Sequence, residues 1–302
     1  MPWKGKMTEF INILTVGLLL GGIYSLVSVG LNLIFGVIRI VNFAQGEFVM
    51  LGMYGAFAAN AAIGFDPYLA TVIVVPALFL FGAAVYWFVL RPLQGEPMMQ
   101  IFATFGLLMV LENTVLALSR GVGLSVDSGL SPVLVVIGPV RISLVRLIVL
   151  AAACMVSLML GVFLKTTMPG RAIRAVAQDR KAARLIGINV ERTYTISFGI
   201  GAALAALAGC LLSPLYTMSP QIGMNFIMPA FAVVVLGGLG SVLGAFVGGL
   251  IVGLTEAMAG FYLDPALKQA VLFMVFIIVL IVRPSGLFGH AGAEEVGLRD
   301  QS

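Results

Sequence analysis

The stretch 31–62, LNLIFGVIRIVNFAQGEFVMLGMYGAFAANAA, is apolar for most of its length, yet Asn42, Gln45 and Glu47 cluster beside Gly46 near its middle. A second stretch, 220–260, PQIGMNFIMPAFAVVVLGGLGSVLGAFVGGLIVGLTEAMAG, has the same character, with a Gly-containing break at its centre. Each Gly costs a helix about 1 kcal/mol relative to Ala. Both stretches are therefore expected to be interrupted rather than to form single straight helices.

The rest of the chain says what surrounds them. Of 302 residues, 61% are apolar and 10% charged, and the mean hydropathy is +1.11. Soluble domains are about a quarter charged and about half apolar, so this composition indicates an integral membrane protein. A crossing helix needs about 20 mostly apolar residues, because the hydrocarbon core is about 30 Å thick. Clear candidates lie at 10–30, 68–90, 98–118, 144–164, 193–215 and 267–282. The alternating strands of a membrane barrel are not evident. The expected fold is all-α: a polytopic transmembrane bundle of about six full spans plus two broken, re-entrant or hairpin segments. It forms a single transmembrane domain over 1–302, with a loop at 165–192 and a polar C-terminal tail at 289–302. The isoelectric point near 9.2 does not point to nucleic acid, since the excess charge lies in loops beside spans. No cleavable signal peptide is recognisable after MPWKGKMTEF. Cys154 and Cys210 both lie in apolar runs and read as buried thiols rather than a disulfide.

Orientation follows from Lys and Arg in short loops, which stay cytoplasmic. The segment 168–192, MPGRAIRAVAQDRKAARLIGINVER, with Lys165 just before it, concentrates the basic residues of the chain. The loop 165–192 is therefore expected inside, 119–143 outside and Arg91 inside. Lys4, Lys6 and Arg283 favour both ends inside. That requires 31–62 and 220–260 each to leave and return on one face; the alternative is two ordinary spans with Lys4 and Lys6 outside. An internal repeat favours the first reading. Setting 10–92 beside 202–284 pairs Gly17 with Gly209, Tyr24 with Tyr216, Gly46 with Gly238, Gly52 with Gly244, and Arg91-Pro92 with Arg283-Pro284. Transporters are often built from such repeats, with the substrate path at the repeat interface.

Within the basic loop, nothing from Arg171 to Ile186 obviously breaks a helix, and Gly187 is a natural C-terminal cap. One amphipathic helix is expected, with Arg171, Arg174, Lys181 and Arg184 on one face. It could mark topology and touch anionic lipid, act as a regulatory target helix, or dock into a cytoplasmic partner through its small residues.

The pattern Gly170-Arg171-Ala172, Arg174-Ala175, Asp179, Ala182-Ala183, Gly187-Ile188 resembles the cytoplasmic loop of LivH-type permease subunits of ABC importers for branched-chain amino acids. VNFAQGEF (41–48) and LGGLGSVLGAFVGG (236–249) are similar to two further stretches of that family, although Gln45 stands where His is common and Lys181 where the wider loop pattern has Glu. The resemblance covers essentially the whole chain. It implies two permeases (the second a different chain), two ATPase subunits that use ATP and Mg, and an extracytoplasmic solute-binding protein, all at a bacterial inner membrane. It also implies that the loop helix couples to the ATPase, through Gly170, Arg171, Arg174, Asp179, Ala182, Ala183 and Gly187.

The chain has no G-x-x-x-x-G-K-[ST] phosphate loop, no His/Cys grouping for a metal, with His290 alone in the tail, and no nucleophile–base set. A bound cofactor and chemistry on a substrate are therefore not expected, and a transport path is the stronger reading. Asn42, Gln45, Gly46, Glu47, Gly237, Gly238, Gly240 and Ser241 are its candidates, because broken helices offer N–H groups to anions and free carbonyls to cations. Their alternative role is close helix packing. Intramembrane ionisable groups are costly and often functional; Glu47, Glu112 and Glu256 are the ones present. Glu47 could equally sit in a helix first turn for dipole reasons. An ion-gradient-driven transporter using these acids is the competing function.

Overall fold

The computed structural model describes residues 2–137 and 140–289. His290 and nearly all of the expected tail lie outside the described residues. The helices are α1 (Pro2–Ile38), α2 (Gln45–Ile63), α3 (Pro67–Val85), α4 (Pro97–Ser119), α5 (Leu144–Thr166), α6 (Met168–Gln178), α7 (Arg180–Leu185), α8 (Val190–Leu212), α9 (Ile222–Gly237), α10 (Val242–Tyr262) and α11 (Lys268–Val282). A π turn, Tyr86–Leu90, and a 3-10 turn, Arg91–Leu93, prolong α3, and a hairpin of β1 (Leu134–Ile137) and β2 (Val140–Ser143) precedes α5. Among the described residues seven helices are long and apolar enough to cross a membrane. Six answer the six expected spans; the seventh is α10, the second half of 220–260.

Small residues decide what lies inside. In α8, FGIGAALAALAGC presents Gly and Ala on every side, and 67% of its span is buried; α1 follows at 56%, against 17% for α5 and 6% for Pro265–Val282. Gly and Ala let backbones approach closely, which drives helix association where there is no hydrophobic effect to do so. A methyl group on Gly209 would lie 2.1 Å from the Val49 carbonyl oxygen, and one on Gly253 would lie 2.2 Å from the Gly21 nitrogen.

These contacts fix directions. Gly17 meets Leu254 and Ala257, Gly21 meets Leu250, and Asn32 reaches Gly238 and Ser241, so α1 and α10 run antiparallel. The Arg39 guanidinium donates to the Ala177 carbonyl at 3.2 Å, which puts the end of α1 on the face carrying 165–192, here the basic face. Arg91 pairs with Glu191 at 2.6 Å on the same face. The opposite face collects Asp66, whose carboxylate accepts from the Ser128 hydroxyl at 3.0 Å, and the Leu124–Met218 backbone bridge.

Two expectations are corrected here. The start of α1 lies on the opposite face, not on the basic face with 165–192. The Lys4/Lys6 bias is overridden by the Gly and Ser contacts of α1 with α10 and by the far larger charge of the 165–192 loop; charge bias acts on the whole chain, not helix by helix. Nor is 31–62 a self-contained segment. Leu31–Ile38 belong to α1, and only 39–44 is irregular. By contrast 220–260 is a helical hairpin, α9 and α10 joined through 238–241. The repeat also changes register. The order helix, break, helix, Asp-Pro, helix recurs in α1–α3 and α9–α11, with Asp66 and Asp264 each capping the helical turn that follows it. Gly46 begins a helix whereas Gly238 follows one, so the ungapped pairing matched a helix start with a helix end.

Candidate functional site

The first interruption sits inside the bundle, and the second opens at the basic face beside Gly36 and Arg174. After Arg39, which holds a left-handed φ of 61°, the chain turns back between the helices, and α2 begins level with Gly30 and Gly201. The turn is sealed by its own side chains. Asn42 Nδ2 donates to Gln45 Oε1 at 3.2 Å, Asn42 Oδ1 accepts from the Ala44 N–H at 3.1 Å, and Gln45 Nε2 donates to the Gly201 carbonyl at 3.1 Å. All three groups are buried, as irregular backbone at this depth demands. Gly46 then abuts Gly223: a methyl on Gly46 would lie 2.5 Å from the Gly223 carbonyl oxygen. The first turns of α2 and α9 thus meet at mid-depth. Glu47 lies at that junction, 1% exposed, with Oε1 against Gly223 and Oε2 lacking a hydrogen-bond partner.

The second interruption, 238–241, is organised by a residue the sequence reading missed. Asn32 Nδ2 donates to the Ser241 carbonyl at 2.6 Å and the Gly238 carbonyl at 3.3 Å, while Asn32 Oδ1 accepts from the Gly240 N–H at 2.6 Å. One amide thereby ties down three backbone groups. Its signal was a lone Asn in an otherwise apolar run. Gly238 and Gly240 adopt φ of 105° and 82°, a region that favours glycine. Gly237 leaves no room for a side chain against Gly244, and Ser241 Oγ caps α10 by accepting from the Gly244 N–H at 3.1 Å. Residues past α11 fold back as a strap: the Leu287 N–H donates to the Leu236 carbonyl at 2.9 Å and the Phe288 N–H to the Gly237 carbonyl at 3.0 Å. Of the path candidates, Asn42, Gln45, Gly46 and Glu47 form one buried group; in the other, Gly237 and Gly238 are buried, Ser241 is half-buried and Gly240 is exposed.

The basic loop departs from one continuous helix. Asp179 adopts extended backbone and caps α7, its Oδ1 accepting from the N–H groups of Lys181 (2.8 Å) and Ala182 (2.9 Å). Asp is a strong N-cap former, and that preference breaks the 171–186 helix in two. The same N–H groups, Ala182 first and then Lys181, hold its carboxyl below the usual carboxylate range. Thr167 ends α5 and caps α6, its hydroxyl accepting from the Gly170 N–H at 3.1 Å. Gly170 is needed for contact, since a methyl there would lie 2.1 Å from the Phe163 carbonyl oxygen. Arg174 Nε donates to the Leu164 carbonyl at 2.7 Å, and Arg171 reaches the Thr166 carbonyl at 3.4 Å. These arginines serve the C-terminal carbonyls of α5, where positive charge is favoured. Ala183 is buried in the chain's own core at 2% exposure, so it is not open to a partner; Leu185 and Ile186, at 88% and 75%, are. Gly187 is the left-handed cap after α7, with open space around it. A small cavity of about 50 Å³ separates Ile173, Arg174 and Ala177 from Asn32, Gly36 and Gly240.

The remaining acids are placed differently from each other. Glu256 accepts from the Tyr24 hydroxyl at 2.6 Å, joining α1 and α10, rather than simply reaching out to water. Glu112, half-buried on α4, lies within electrostatic reach of Glu47. Among the described residues no group of three or more His, Cys, Asp or Glu could hold a metal ion.

A bundle of crossing helices with two interruptions lined by polar groups and glycines defines a multi-pass membrane protein of the transport-permease class. Residues 13–280 match the family described as branched-chain amino acid transport system / permease component, and the chain belongs to that family. It is 34% identical to the high-affinity branched-chain amino acid transport system permease protein LivH of Escherichia coli over 93% of this chain and 96% of that one. It is likewise 34% identical to BraD of Pseudomonas aeruginosa, described in the same terms, over 96% and 99%. The xylose transport system permease protein XylH of Haemophilus influenzae is 42% identical over 101 residues, 31% of this chain and 27% of that one. No solved structure matches the chain.

Proposed function

We propose that this chain is the membrane subunit of an ATP-driven importer that carries a branched-chain amino acid or a related small polar solute inward across a bacterial inner membrane. The observation that carries the reading is likeness to LivH and BraD over 93% and 96% of this chain and 96% and 99% of theirs. The chain does no chemistry on the solute. ATP and Mg are used by separate ATPase subunits, which dock on the basic face; the exposed pair Leu185 and Ile186 at the end of α7 supports that docking. A second permease, a different chain, completes the path, and a solute-binding protein delivers cargo to the opposite face. Lipid surrounds the exposed apolar faces of α3, α4, α5 and α11. The path runs by the two interruptions, past Asn42, Gln45, Gly46 and Glu47 and past Gly237, Gly238, Gly240 and Ser241.

The test is reconstitution. The chain is co-expressed with the ATPase, permease and binding-protein genes beside it, purified and placed in proteoliposomes. Leucine uptake should require ATP and persist when ionophores dissipate ion gradients. Uptake that collapses with an ionophore and ignores ATP depletion would replace this reading with an ion-driven carrier.

A further inference from the structure

The end of α1 touches three parts of the molecule that lie far apart in sequence. Asn32 holds the 238–241 interruption through its amide. One turn on, Gly36 abuts the same interruption: a methyl there would lie 2.6 Å from the Gly240 Cα. Arg39 ends the helix, its N–H donating to the Phe35 carbonyl at 2.9 Å, and opens the 39–44 turn that leads to Asn42 and Gln45. The Arg39 guanidinium then crosses to α6 and donates to the Ala177 carbonyl at 3.2 Å.

The Ala177 carbonyl is available for a reason. Its ordinary helical partner would be the N–H four residues on, that of Lys181, and that N–H donates to Asp179 Oδ1 at 2.8 Å instead. The Asp179 cap that breaks the loop helix in two thus frees a carbonyl at the end of α6, where positive charge is favoured. Beside this bond the two helices are not tightly packed. The cavity of about 50 Å³ lies between Ile173, Arg174 and Ala177 on one side and Asn32 and Gly36 on the other.

Position 39 is also unfavourable for an arginine. Its φ is 61°, a left-handed conformation costly to any residue with a Cβ, and helices that end this way mostly use Gly. The bond to Ala177 is exposed, so water competes for both groups and the fold gains little from it. Stability alone would place Gly here, and the arginine serves something else.

We propose that Arg39 is a positioning residue that carries movements of the 165–192 loop into both interruptions. When α6 shifts, the guanidinium draws the end of α1 with it; Asn32 and Gly36 pass the shift to 238–241, and the 39–44 turn moves directly. This rests on the reading above that the ATPase subunits dock on the loop and that the path runs by the interruptions.

The test has two arms. The first needs no ATPase: amide hydrogen exchange on the purified full chain in micelles. Asp179→Ala, which loosens the loop, should speed exchange at 40–45 and 238–241 when Arg39 is present and add nothing in an Arg39→Gly background, the non-additivity of residues that act through one contact. An Asp179→Ala effect of the same size in both backgrounds, or none in either, would overturn the proposal. The second arm is the assembled complex in proteoliposomes, read as leucine moved per ATP hydrolysed. Arg39→Gly should unfold no more easily than wild type, co-purify with the ATPase subunit and hydrolyse ATP, yet the ratio should fall at least about fivefold, the low end of coupling between distant sites; Arg39→Lys, which keeps a donor, should recover part of it. An unchanged ratio, or a ratio that falls only together with stability, would make Arg39 a structural residue and end the proposal. If the wild-type complex couples no ATP hydrolysis to leucine uptake, the reading of the function fails by itself, and the exchange arm alone decides the role of Arg39.

Discussion

Replacing Asn32 by Leu removes the amide that holds the α9–α10 interruption and leaves a side chain of similar volume. The Gly240 N–H loses its partner at 2.6 Å, while the Ser241 and Gly238 carbonyls, bonded to Asn32 at 2.6 and 3.3 Å, keep the N–H groups of Ala245 (2.9 Å) and Ser241 (3.2 Å). The orphaned Gly240 N–H therefore decides the outcome. A buried group left without its partner costs about 1–3 kcal/mol, although polar contacts inside membranes average only about 0.6 and reach about 1.7 kcal/mol, because the unfolded state in lipid also finds partners. Between these limits, Asn32→Leu should destabilise the protein by about 1–3 kcal/mol, measured by equilibrium unfolding in mixed micelles. Asn32→Asp supplies a sharper test. It keeps the acceptor for Gly240 but turns a carboxylate toward two carbonyls, so it should cost more than Leu despite its closer shape. If Leu lies within about 0.5 kcal/mol of wild type, which is the ordinary scatter of surface substitutions, the amide does not organise the interruption. If Asp is milder than Leu, the donor assignment is wrong.

Other outcomes follow from the same contacts. A cysteine replacing Lys4 should react from the face opposite to one replacing Ser285, in a background without Cys154 and Cys210; labelling from one common face would contradict the direction of α1. Gly46→Leu must move α2 away from Gly223 and should abolish uptake while the protein still reaches the membrane; overpacking of this kind costs about 1–3 kcal/mol, and normal uptake would show that the junction is not on the path. Leu185→Asp with Ile186→Asp should leave topology intact but lose ATPase co-purification, whereas Ala183→Trp should disturb the loop's own fold, seen as faster proteolysis at 168–192. Asp179, whose carboxyl is held low by the Ala182 and Lys181 N–H groups, should keep its cap on α7 through the pH range where a free Asp protonates. That stability is present above the ordinary pKa and is lost only as pH falls through the lowered one; loop cleavage by an acid-active protease should rise there, and Asp179→Ala should show the higher rate already at neutral pH.

The bundle and its two weak points were legible because apolar length and glycine are local signals. The six expected spans reappear, and 238–241 is an interruption as read. What failed depended on partners far away in sequence. The direction of α1 is set by contacts with α10, some 200 residues on, while Lys4 and Lys6 offered only a statistical bias. Asn32 was passed over because its three bonds go to residues that no spacing rule connects to it. Asp179 was legible and misjudged: an Asp before Arg-Lys-Ala-Ala can start a helix as readily as sit within one, and the N-cap preference prevailed. Ala183 reads as an approach position only if α7 faces outward on that side; burial against the chain's own core moves the exposed surface to Leu185 and Ile186.

The 238–241 interruption is closed by residues far apart in the sequence. Asn32 is made early, its acceptor Ser241 comes 209 residues later, and the strap at 287–288 comes last. At about 5–20 residues per second, Asn32 waits on the order of ten to forty seconds inside the bilayer before its partner exists. The α9 carbonyls then stay open until residues 287 and 288 have been made. Until that moment the nascent protein carries unsatisfied backbone carbonyls at the end of α9, the kind of defect that membrane quality-control proteases and insertion chaperones would meet. Shortening the chain before residue 287 should therefore lower the amount of protein that accumulates, even though every spanning helix would still be encoded.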